Sequence, residues 1–380
     1  MATTERHNQG VAEVWRAFHE GHPTRVPCYF NIGRRFWLLT PWLNERRHTF
    51  QQYLEDPAVQ WEVQLGLERW LREEPFQDTE VGLPAEWPGL RPDFQNIYEA
   101  VWLGCPLEYR TEQVPDSRPL LKERKGDLVS LTIPDPLHGG IQGRGLEFYE
   151  YFEERRKREM FAGRPVGKPI LCGGGTDGPF TVACNLRGTT ELCLDLYEDP
   201  RYALELLEFV TEAIIVRVRA VRRFNGAELP QQGWGFADDS TQLLTEKHYR
   251  DFVLPFHQRL IAEFSKGGPN SMHLCGHVQR LLPVLNRELN VQDFDLGFPV
   301  DLGEARRALG PGVMLRGNLH PEVLREGPAA RVRAEVAAIL RSGVMEGGQY
   351  AFCDGNNVAP GTPVAHFLAA YETVKELGQY

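Results

Sequence analysis

What most restricts the fold of this chain is the order of its apolar runs after residue 168. Short runs rich in β-branched and aromatic residues alternate with longer runs of helical period. Strands read at Lys168–Cys172, Leu229–Phe236, 270–275, Asp293–Asp295, Val313–Arg316 and Tyr350–Cys353. Helices read at Phe180–Leu186, 199–224, Lys247–Phe264, Val278–Leu289, Leu302–Leu309, Ala329–Ser342 and Pro363–Leu377. A strand that returns through a helix to a parallel neighbour buries both elements, and its repetition gives a closed barrel or an open doubly wound sheet. No Gly-x-Gly-x-x-Gly follows the first clear strand, so the dinucleotide-binding form of the open sheet has little support. The expected fold is α/β, a (β/α)8 TIM-like barrel.

The N-terminal part is less regular. Val11–His19 has helical spacing, and Val26–Asn31 reads as a short buried strand that runs into Gly33-Arg34-Arg35. Residues 36–75 read as helices. Phe76–Pro119 is rich in Pro, Gly and aromatic residues. Leu107–Ile133 suggests two or three strands with a turn at Lys125-Gly126-Asp127, and Leu146–Met160 reads as a helix. The expected organisation is one barrel domain over 1–380, with 36–165 as a helical and loop-rich elaboration covering the barrel mouth.

With 380 residues the chain is long for one domain, yet α/β barrels reach this size. The net charge is −10 and no Lys/Arg-rich run is present, which argues against nucleic-acid binding. The charges in Glu153–Arg158 alternate in sign, as on a solvated helix face. Seven cysteines at irregular spacing do not form a disulfide framework and fit a reducing cytoplasm. The first residues carry no apolar leader, and no run of about 18 apolar residues exists, so neither a signal peptide nor a membrane span is expected.

A barrel places functional side chains at the C-terminal ends of its strands. One such end is Ser271-Met272-His273-Leu274-Cys275-Gly276. Side chains at i and i+2 share a face of a strand, so His273 and Cys275 project together, and imidazole with thiolate begins a zinc site. Cys353, at the end of the last strand, is the candidate third ligand; a buried cysteine that merely packs is the plainer alternative. Asp238 and Asp239 end another strand. They suit a catalytic proton acceptor or a partner of the metal, and equally a helix N-cap. Asp295 could support a ligating histidine through its second nitrogen. Arg34 and Arg35 could bind a carboxylate or phosphate of a substrate. Asp177, after the flexible Gly173-Gly174-Gly175, and Asn318 are further candidates for substrate contact, with Asn318 as readily a turn residue. His277 reads as a helix-start residue and His138 as a solvated loop residue.

Several of these stretches carry a family resemblance. Met272 to Val278 resembles the His-x-Cys-Gly element of the uroporphyrinogen decarboxylase superfamily, in its zinc-dependent, corrinoid-linked methyltransferase branch. Gly178-Pro179-Phe180-Thr181, Gly317-Asn318-Leu319-His320-Pro321 and Phe352-Cys353-Asp354-Gly355 through Pro363 match further elements in the same order. The ordered match runs from about Pro169 to Leu377, with a weaker one at Val26–Phe36. The resemblance implies zinc on His273, Cys275 and Cys353, and methyl transfer between a small substrate or thiol and a corrinoid on a partner protein. With their position at a strand end, it also supports a functional part for Asp238 and Asp239, which resemble an Asp-Asp-x-x-Gln element of the family.

The decarboxylases of the superfamily lack the zinc cysteines and use an Arg-containing N-terminal loop that Asn31–Phe36 does not reproduce. Both points count against a decarboxylase of a tetrapyrrole or small carboxylate, which is the first alternative because it would keep the superfamily's original chemistry. A non-catalytic zinc- or corrinoid-binding protein is the second. A cobalamin-independent transfer like that of methionine synthases is the third, although the donor-binding domain would have to fit a short chain.

Overall fold

A computed structural model describes residues 2–380. Its centre is a five-stranded parallel sheet in the order β3-β4-β5-β6-β7. The strands are β3 (Gly235–Ala237), β4 (Asn270–Leu274), β5 (Val291–Leu296), β6 (Met314–Leu319) and β7 (Tyr350–Asp354). Two residue pairs, Leu107–Glu108 (β1) and Asp116–Ser117 (β2), form a small antiparallel ladder outside this sheet.

Two extended segments continue the sheet on either side. Cys28 bridges Phe352 in parallel, which sets residues 26–31 beside β7. Ala237 N donates to Thr176 O at 3.2 Å, which sets residues 170–176 beside β3. Residues 76–93 span the remaining gap: Asp78 N bonds Cys28 O at 2.7 Å and Ile170 N bonds Leu90 O at 3.0 Å. The architecture is the expected TIM-like α/β barrel.

The two side segments are extended without forming regular strands, and the reason is local. Side chains take the place of the ladder. Cys28 N bonds Asp78 Oδ2, Phe30 N bonds Gln77 Oε1, and Leu171 N bonds Asn225 Oδ1. The strands expected in Leu107–Ile133 are reduced to β1 and β2, and Lys125–Ser130 is a 3-10 turn. There Arg187 takes the carbonyls of Leu121 and Lys122, and Lys125 pairs with Asp195 and Asp199 on the neighbouring helices.

The helices form where the spacing predicts them. Pro200–Phe224 opens on Asp199, whose carboxylate accepts from Tyr202 N, and has Pro200 in its first turn. Leu206, Leu207, Val210, Ile214, Val218 and Val221 form its buried stripe. Ala329–Ile339 and Val364–Leu377 cover the β6–β7 side.

The strands show an unusual division between their faces. On β4, Asn270, Met272 and Leu274 are buried outward against the helices, while Ser271 and His273 face inward half-buried. β5 repeats this, with Phe294 and Leu296 outward and Asp293 and Asp295 inward. The apolar core thus lies between barrel and helices, and polar residues are left for the interior.

Candidate metal centre

Register brings the candidate residues into layers. Ala237 pairs with His273, His273 with Asp295, Asp295 with Arg316, and Arg316 with Ala351. Partners in a parallel ladder point to the same face. The next step up each strand gives Cys275, Gly297, Asn318 and Cys353, with Asn318 paired to Cys353. A Cβ on Gly297 would lie 2.4 Å from Cys275 Cβ, which shows how tightly this upper layer closes.

Among the described residues, one group of metal-ligating side chains converges: Asp239, His273 and Cys275, with donor atoms all within 4.8 Å of one another. His273 Nε2 lies 3.7 Å from Asp239 Oδ1. His273 Nδ1 donates to Asp295 Oδ2 at 2.8 Å, so Nε2 is the nitrogen turned to the centre. Asp239 Oδ1 also accepts from Cys275 N at 2.9 Å, which ties the end of β4 to the turn after β3. Burial opposes charge on His273, but bonds to Asp295 and Cys275 and the nearby carboxylates prevail and push it up to about 11. The pocket is built to hold positive charge at this point. Burial raises the Cys275 thiol, and the bond from His273 opposes that rise.

Cys353, expected as the third ligand, stands outside this group. It is fully buried in the layer of Cys275, and its sulfur faces the Tyr29 hydroxyl. Burial holds the thiol well above its ordinary value. Asp239 is the third donor that converges with His273 and Cys275.

Asp238 and Asp239 are adjacent and placed oppositely. Asp238 is fully buried, and both its oxygens are used by Phe180 N, Thr181 N, Thr181 Oγ1 and His257 Nε2, at 2.7–3.1 Å. It sits at the N-terminus of the helix Gly178–Arg187, where a carboxylate is favoured, and has no oxygen free for a substrate. Tyr249 bonds the other ring nitrogen of His257 at 2.9 Å. Gly178, at φ +77, leaves room for this arrangement, because a Cβ there would lie 2.7 Å from Asp238 Oδ2.

The other candidates divide in the same way. Asp177 stands near Asp239 and His273, and burial followed by repulsion from Glu99 and Asp239 raises its carboxyl to about 7. Arg35 donates to Asn96 Oδ1 at 3.2 Å and is near enough to Asp177 and Asp93 to feel their charge. Arg34 turns inward to Gln64 Oε1 at 3.4 Å. Asn318 gives its amide to Gly297 O and Val300 O, which shapes the loop after β5 and leaves no donor for a substrate.

Sequence reasoning missed four supports. Glu99 accepts from Thr176 Oγ1 and Asp177 N, and pairs with the buried Arg217. Arg217 in turn holds the carbonyls of Gly173 and Gly175. Tyr29 and His257 are the other two. Only Arg217 left a trace in the sequence, as a cation on the apolar stripe of an amphipathic helix.

Comparison with known proteins matches residues 94–377 to the uroporphyrinogen decarboxylase family. A methylated-thiol--coenzyme M methyltransferase of Methanosarcina mazei is 28% identical over 60% of this chain and 57% of its own length. A uroporphyrinogen decarboxylase of an Anaeromyxobacter species is 31% identical over 53% of the chain and 57% of its own length. The matched stretch is thus less than two thirds of either relative. A decarboxylase of Azotobacter vinelandii matches more widely, at 26% identity over 75% of this chain and 77% of its own. Among solved structures, a methyltransferase from Methanosarcina mazei superposes with a TM-score of 0.66 at 19% identity, over 95% of this chain and 96% of that one, a likeness of fold. Among the described residues no helix is long and apolar enough to cross a membrane. The chain belongs to the uroporphyrinogen decarboxylase family.

Proposed function

We propose that the chain is a zinc-dependent methyltransferase that moves a methyl group between a small substrate or thiol and a corrinoid carried by a partner protein. The observation that supports it is the convergence of His273, Cys275 and Asp239 at the C-terminal ends of the barrel strands. Imidazole, thiolate and carboxylate suit zinc, and three protein ligands leave a position open. His273 Nε2 and Cys275 Sγ would hold the ion with Cys353, the second thiol of the same layer, as the third ligand, and Asp239 would stand beside the open position. Bound zinc would keep a substrate thiol ionised or polarise an ether oxygen.

The chain's own residues do the rest. Asp295 fixes the ring of His273 in one tautomer and orientation. Asp239 holds the backbone beneath Cys275, and Asp238 anchors the turn that presents Asp239. Arg35 and Asp177 face the substrate's polar part. A carboxyl near 7 on Asp177 can pass a proton at its oxygen close to neutral pH.

The test uses purified protein with methylcobalamin and a panel of small thiols, following loss of the cobalt–carbon absorbance. Transfer that stops with chelator and returns with zinc supports the reading. The wide match to the Azotobacter vinelandii decarboxylase favours a second reading, decarboxylation. Carbon dioxide release from uroporphyrinogen by chelator-treated protein, with no methyl transfer, replaces the first reading with the second.

A further inference from the structure

A TIM barrel interior is ordinarily a packed core of bulky branched side chains. This one is not. The lowest inward layer is Gly235, Ser271, Asp293 and Met314, and the layer above it is Ala237, His273, Asp295 and Arg316. Two members have little or no side chain, and most of the others are polar.

These side chains remain accessible inside the barrel. The exposed fraction of the side chain is 30% for His273 and 35% for Asp295. It is 40% for Arg316 and 28% for Asp293, although the two are hydrogen-bonded to each other. The mouth does not account for Asp293, which sits in the lowest layer.

Asp293 and Ser271 also line a cavity of about 410 Å3 at the opposite, N-terminal end of the strands. Gly233, Gly235 and Asn270 form its walls, and Arg222, Gln231 and Gln292 stand around it. Gln292 is the extra residue where the register between β4 and β5 shifts, since Asn270 pairs with Val291 and Ser271 with Asp293. Such a bulge bends the strand and interrupts the ladder locally. Gly235 leaves room for the Ser271 hydroxyl, because a Cβ on it would lie 2.1 Å from Ser271 Oγ.

We propose that the barrel has a second entrance at its N-terminal end, through which water and small polar solutes reach the floor of the candidate metal centre. Ser271 and Asp293 belong both to the cavity and to the strands that carry His273 and Asp295 two residues further on. The passage is lined mostly by polar groups, and its outer cavity is roomy enough to hold water. A ligand entering by the mouth then displaces water downward and out, rather than past itself. The passage rests on the barrel geometry alone, so it stands or falls independently of zinc and of methyl transfer.

Ser271→Cys tests it in the protein as purified. The variant is treated with a small charged methanethiosulfonate reagent, and labelled cysteines are located by peptide mass spectrometry. Half-buried Cys193 and fully buried Cys28 are the internal references. Cys at 271 should label far faster than Cys28. Adding Gln292→Trp, or Gln292→Arg should the tryptophan not fold, should slow that labelling about tenfold while Cys193 is unaffected, as expected for an accessible thiol whose route is narrowed. A residue 271 thiol as inert as Cys28, or one whose labelling ignores both plugs, overturns the proposal.

Discussion

His273 owes its part to what its two nitrogens face. Nδ1 is bound to Asp295, and Nε2 looks toward Asp239 and Cys275. Asp295→Asn should therefore weaken zinc binding about 10–100-fold without unfolding the protein, as loss of a ligand's outer partner does. Competition with a chromophoric chelator measures this, and an unchanged affinity removes Asp295 from the site. Asp238 and Asp239 should separate in the same assay. Asp239→Asn should lower zinc affinity. Asp238→Asn should instead lower the melting temperature, because it disturbs a buried carboxylate with four donors.

Asp177 gives a pH signature. Its folded value of about 7 lies above that of an unfolded aspartate, so the folded chain keeps a proton that the unfolded chain has shed. That contribution is complete below about pH 4 and is lost as pH rises through about 7. Chelator-treated protein should resist urea better at pH 5 than at pH 8 through this group, and Asp177→Asn should flatten the difference. An identical pH dependence in the variant contradicts it. At this scale the sequence showed which residues could act and not which way they point. Asp238 and Asp239 are neighbours with the same chemistry, and only the turn after β3 decides that one is buried and the other faces the centre.

Elements carry the site by tying loops to strands. The helix Pro200–Phe224 lends Arg217 to the glycine loop at 173–175, and Glu99 closes the same network from the N-terminal part of the chain. Both side chains are almost fully buried. Glu99→Gln leaves Arg217 with an uncompensated charge and should cost about 3–5 kcal/mol in denaturant unfolding. A loss within experimental error means that Arg217 finds another partner. Where β4 and β5 end, Gly297→Ala should push Cys275 out of place, since the added carbon would lie 2.4 Å from Cys275 Cβ. Zinc content should fall below one per chain while the far-ultraviolet circular dichroism stays unchanged. Helices were legible because their buried stripes recur every three or four residues over many turns. The segments 26–31 and 168–172 were legible as extended but not as irregular, because the side chains that satisfy their backbones, Asp78, Gln77 and Asn225, come from distant parts of the chain.

The whole molecule follows from strands with reversed faces. Met272, Leu274, Phe294 and Leu296 build the core outward against the helices, and the interior is left to His273, Asp293, Asp295 and Arg316. That inversion is what makes the barrel a container for a charged centre. The alternation was visible in the sequence, and so was the barrel. The stretch 76–133 was not, because its many loops close through pairs such as Arg187 with Leu121 and Lys122, which no local pattern announces. The place of Cys353 was legible only to the level of its layer, since its sulfur turns to Tyr29.

Whether Cys353 joins His273 and Cys275 on one zinc ion is the claim on which the proposed chemistry depends. X-ray absorption at the zinc edge counts sulfur ligands directly, by shells near 2.3 Å for sulfur and about 2.0–2.1 Å for nitrogen. The expected result is one zinc per chain with two sulfur ligands in the native protein, falling to one in Cys353→Ser. Native protein purified without stoichiometric zinc, or a sulfur count that Cys353→Ser leaves unchanged, contradicts it.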